Sequence, residues 1–131
     1  MTFLLLRPQA KCQASAQAFS HAGLSAVACG LIDTVVDDDA IGQLPVKIAD
    51  LHNRDEEKIY VIVTSTVAAQ QCALMKNQWP RSVCFFAVGA STGHILRVTG
   101  LKVVVPKESR TEGLLALPQL TQVVNQSIII M

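Results

Sequence analysis

Apolar positions along the chain switch between two periods. Short apolar runs, rich in β-branched residues, fall at 3–6, 58–63, 83–88, 102–105 and 127–131, as buried strands require. Between them the spacing turns helical at 11–22, 44–51, 66–76, 91–99 and 111–117. Residues 25–29 and 31–36 read as extended segments broken at Gly30. Arg7-Pro8-Gln9 reads as a turn, Asp37-Asp38-Asp39 as a polar break, 53–57 as a solvated loop and Trp79-Pro80-Arg81 as a loop. Ala10, Ala14, Ala18 and Ala22 form a stripe suited to close approach to a sheet, and Val67, Ala68, Cys72 and Met75 form the inner face of a later helix. Gly23 and Gly100 stand where helices stop. Strands alternating with helices imply an α/β fold with a parallel sheet covered on both faces. The final strand resembles the first, and is expected to open a second, similar half rather than to close the fold as an edge strand.

Two strand-to-helix junctions carry the candidate chemistry. One runs from Val63 into Thr64-Ser65-Thr66, the other from Val88 into Gly89-Ala90-Ser91-Thr92. Each leaves the first N–H groups of a helix without backbone partners, at the positive end of its dipole. In parallel sheets ligands gather at the carboxyl ends of strands, where these junctions and Arg7 fall. The expected ligand is therefore an anion with several charges, met by Thr64, Ser65, Gly89, Ser91, Thr92 and Arg7. The competing reading is structural: Thr64 or Ser65 caps one helix, and Ser91 or Thr92 the other.

Other motifs fall short. The segment 87–93 lacks the lysine of a phosphate loop, and its glycines are not spaced for a dinucleotide. Ser65 has no nucleophile-elbow glycines. His21, His52 and His94 have no metal spacing, and Asp37–Asp39 lack the partners of an acidic phosphoacceptor pocket.

Composition narrows the class. Half of the 131 residues are apolar, 16% are charged and the net charge is +1. That argues against disorder and leaves no footprint for nucleic acid. No apolar run reaches the length of a membrane span. Cys12, Cys29, Cys72 and Cys84 form no close pair and read as buried, reduced thiols, which suits a cytoplasmic chain.

In order and spacing these segments resemble the uroporphyrinogen-III synthase family. Arg7-Pro8 follows the first strand. Thr64-Ser65-x-x-Ala68 matches TSxxAV, with Ala69 for valine. Ala87-Val88-Gly89-x-x-Thr92-x-x-x-Leu96 matches AVGxxTAxxL, with Gly93 for alanine. Thr111-Glu112-Gly113-Leu114-Leu115 matches SEGLL, and Gly30 replaces a usual proline before Leu31-Ile32.

The resemblance implies a cofactor-free, metal-free cyclising lyase of tetrapyrrole and haem biosynthesis, monomeric as the full-length parent. Its substrate is hydroxymethylbilane, a linear polycarboxylate that closes with inversion of the terminal pyrrole and loss of water. The resemblance also implies two flavodoxin-like domains in a longer protein, of which this chain is an N-terminal fragment. Residues 1–35 belong to a discontinuous first domain and 36–131 supply most of the second. Such a fragment is expected to be inactive and prone to association or domain swapping. A non-catalytic α/β module that binds an anionic small molecule is the alternative.

Overall fold

Continuous apolar runs in the central strands, buried on both faces, dictate the architecture. In the computed structural model, which describes residues 1–54, 58–124 and 126–131, β3 (Ile59–Val63) and β4 (Val83–Ala87) lie side by side and parallel, with Ile59 opposite Val83 and Val63 opposite Ala87. β5 (Val103–Val104) pairs with β4, and β6 (Ser127–Ile130) with β3, giving the order β5-β4-β3-β6. All these pairings are parallel.

Successive side chains point to opposite faces. Val61, Val63, Phe85 and Ala87 enter one core with Ile129 and Met131; the helices α2 (Asp38–Arg54), α3 (Thr66–Leu74) and α4 (Ala90–Val98) supply Leu44, Ile48, Ala69, Cys72 and Leu96 to it. Tyr60 and Phe86 enter the opposite core, covered by Leu114 of α5 (Thr111–Leu115) and Leu120 of α6 (Pro118–Thr121). Their rings meet edge to face at 5.2 Å. A parallel sheet with helices on both faces is the expected flavodoxin-like arrangement.

The chain forms two compact units, Met1–Asp37 and Asp38–Met131. In the first, β1 (Thr2–Pro8) and β2 (Ser25–Ile32) pair in parallel, with α1 (Gln9–His21) against them. α1 turns Cys12 inward, with Ala16 and Phe19 half-buried, and Phe19 meets Phe3 edge to face. The other sheet face carries Leu4, Leu6, Val27 and Leu31, each more than half exposed.

Several expectations are corrected. Residues 7–9 are not a turn: β1 passes directly into α1. The alanine stripe is exposed, because Phe19 and Cys12 take the inner face, with Ala16 between them. Gly30 bends β2 without breaking it, at a register shift against Arg7 and Pro8, and a Cβ there would run into the Gln9 side chain. α2 begins at Asp38, so the acidic run is no linker: Asp38 and Asp39 lie in its first turn, complementing its dipole. Asn53 is helical, and the rest of the expected loop, 55–57, lies outside the described residues. On α3, Ala69 rather than Val67 joins Cys72 in the core. β6 lies beside β3 in the same sheet. Of the cysteines, all free, Cys12 and Cys72 are buried, Cys84 is half-buried and Cys29 is exposed. Gly23 and Gly100 do end their helices, at φ of +73° and +85°.

Candidate functional site at the carboxyl edge of the sheet

The β3–β4 register brings both strands to an end at one level, so their helices start side by side. The ladder runs one residue further. Val88 N–H donates to the Val63 carbonyl at 3.2 Å, and Thr64 N–H to the Met131 carbonyl at 2.8 Å. Thr64, Ser65, Gly89 and Met131 therefore share one edge.

The hydroxyls there have different duties. Thr64 Oγ1 also donates to the Met131 carbonyl, at 2.8 Å. Its single proton is committed to pinning β6 to β3, which leaves it acceptor capacity only. Ser65 is the N-cap of α3, in an extended conformation, and its Oγ accepts from Ala68 N–H at 3.0 Å. A hydroxyl that accepts through a lone pair keeps its proton, so Ser65 is free to donate to an oxyanion while it caps.

α4 is built differently. Its N-cap is Gly89, not Ser91 or Thr92, and no side chain caps it. Ser91 is exposed in the first turn. Thr92, one residue on, is 6% exposed and turned into the protein. The first-turn N–H groups of α4 thus face outward uncapped, at the positive end of a nine-residue helix.

The family-type glycines divide in the same way. A Cβ on Gly89 would meet only Ser109 Cβ, at 3.9 Å, so nothing within the protein demands glycine there. A Cβ on Gly93 would strike the Val105 side chain. Gly93, where the resembling motif has alanine, is thus explained by Val105.

Sequence reasoning missed a third turn. The segment from β5 to α5 passes Gly89 at Ser109 and carries Arg110 to the same edge. Arg110 Nε donates to Glu108 Oε2 at 2.9 Å, so the guanidinium arrives already paired. The signal was Pro106, which stops β5 and forces a loop before α5.

Arg7 is the penultimate residue of β1 in the first unit, where its guanidinium donates to Ser15 Oγ at 2.8 Å. His94 is exposed on α4. Cys72, on the buried face of α3, has its thiol pushed up to about 12 by burial, which keeps it protonated and unreactive. No group of three or more His, Cys, Asp or Glu among the described residues is placed to hold a metal ion. No described helix is long and apolar enough to cross a membrane.

Comparison with curated proteins gives no match. The family model of uroporphyrinogen-III synthase HemD matches residues 13–131, spanning both junctions, the Gly93 helix and the α5 segment. The chain belongs to the uroporphyrinogen-III synthase family, enzymes of haem biosynthesis.

Proposed function

We propose that this chain is the substrate-gripping part of a cytoplasmic uroporphyrinogen-III synthase, which closes hydroxymethylbilane with inversion of its terminal pyrrole and loss of water. The observation that supports this best is the pair of adjacent helix starts at one sheet edge, one capped and one open, in a chain of this family. Closure without inversion needs no help, so the enzyme's task is to hold a flexible polycarboxylate in one curled shape. Backbone N–H groups do that without a basic patch. The N–H groups at Gly89–Thr92 take one carboxylate. Ser65 donates to another while it holds its own helix, and Ser91 adds a hydroxyl at the rim. Thr64 fixes the floor, and Thr92 sets the helix in place from beneath.

The domain reading is part of the proposal: residues 1–35 belong to a first domain completed by further chain, and 36–131 to the second. The bare apolar face of β1–β2 supports it, since a covered sheet would bury Leu4 and Val27. Isomer analysis tests the whole. Hydroxymethylbilane incubated with the product of the complete reading frame should give the type III isomer, whereas the 131-residue chain should give only the non-inverted one. Type III product from the short chain overturns the domain reading. Its absence from the complete product overturns the activity and favours a binding module.

A further inference from the structure

The amino end of the same sheet carries a concentration of positive charge that the proposed reaction does not use. Two cavities, of about 370 and 280 Å³, adjoin there and share Arg81, Val83 and Lys102. Lys76 joins the first and Lys58 the second. No described carboxylate lines either, and none pairs with these four cations. Among the described residues, these four cations thus gather at the recess without a carboxylate in its lining.

The floor is apolar and rigid. Trp79 is packed edge to face on Phe85 at 5.0 Å, and its Nε1 donates to the Cys72 carbonyl at 2.9 Å. Burial raises the Cys84 thiol, while the charges of Lys58 and Lys102 pull it down, so both ammonium groups act on one spot beside the second cavity.

Part of this charge has a structural use. α3 and α4 end nearby, with their negative poles towards Lys76 and Leu101, and cations offset such poles. That use requires neither a cavity nor an aromatic floor. We propose that this amino-end recess is a second ligand site, separate from the carboxyl edge, that takes a small planar aromatic molecule bearing two carboxylates. The ring lies against Trp79 and Pro80, and the carboxylates reach Lys76 on one side and Arg81 with Lys102 on the other. The inference does not depend on the proposed reaction.

Trp79 is the chain's only tryptophan, so its emission reports the recess directly. The 131-residue chain is titrated with terephthalate, with benzoate and with neutral terephthalamide. Terephthalate should shift the emission saturably, benzoate should bind about tenfold more weakly or worse, and terephthalamide should not bind. Lys76→Gln and Lys102→Gln should each weaken terephthalate about tenfold at a temperature where both variants remain folded. Absence of a saturable shift overturns the proposal, and so does equal binding of terephthalamide. Variants that melt earlier yet bind terephthalate like the parent also overturn it, because the cations then serve the helix ends alone. The Trp79 indole N–H resonance provides a second readout under the same titrations.

Discussion

The starts of α3 and α4 stand side by side at one sheet edge and solve the same problem in opposite ways. α3 satisfies its first turn internally, through Ser65. α4 places a glycine there and leaves its first turn without a side-chain cap. Glycine at an N-cap lies only about a few tenths of a kcal/mol below serine, so α4 leaves its first N–H groups open at little cost in stability. On the proposed function, this open start is the place for a ligand carboxylate.

The difference is tested hardest where the helices meet the core. Stability should fall as pH rises between about 9 and about 12. The unfolded Cys72 thiol ionises from its ordinary value of 9.0, whereas the folded one, raised to about 12 by burial on the inner face of α3, keeps its proton. The folded state then binds more protons, so each pH unit in that window costs up to about 1.4 kcal/mol. Urea titrations across the window, with Cys72→Ala for comparison, check this; an equal slope in the variant would assign the loss to other groups.

Gly93→Ala should destabilise by about 1–3 kcal/mol, because its Cβ strikes Val105 and displaces α4. Adding Val105→Ala should recover much of that loss, which a double-mutant cycle by chemical unfolding would resolve.

Ser65→Ala should cost about 1 kcal/mol by removing the cap of α3. Thr92→Ala should cost about as much for a different reason, lost packing of a buried side chain that caps nothing. Activity assayed where both variants are folded separates them: Ser65→Ala should lose turnover beyond its stability loss, Thr92→Ala should not.

The strands and both junctions were legible because continuous β-branched and apolar runs and terminal hydroxyls are local signals. The capping residue of α4 was not. Ser91 and Thr92 are better caps than Gly89 by residue type, yet the β4 register ends the strand early enough for the helix to begin at Ala90. The alanine stripe misled because small apolar residues are indifferent to burial, so the larger Phe19 decided how α1 rotates. Cys29 looked buried because its neighbours are apolar, but its face of β2 is uncovered. The Ser109–Arg110 turn was missed because its approach to Gly89 is a tertiary fact with no local spacing to announce it.

Gly89→Asp tests the central claim most directly. The backbone at this position, φ −136° and ψ 164°, suits any residue, and there is room for the side chain. The new carboxylate should cap α4 and raise stability by about 1 kcal/mol. It should also occupy the N–H groups that the substrate needs, so type III isomer formation by the complete gene product should fall at least about tenfold. A gain in stability with a loss of turnover is the predicted result. A stabilised variant that forms the type III isomer at the parent rate would contradict the account and leave the start of α4 with no part in catalysis.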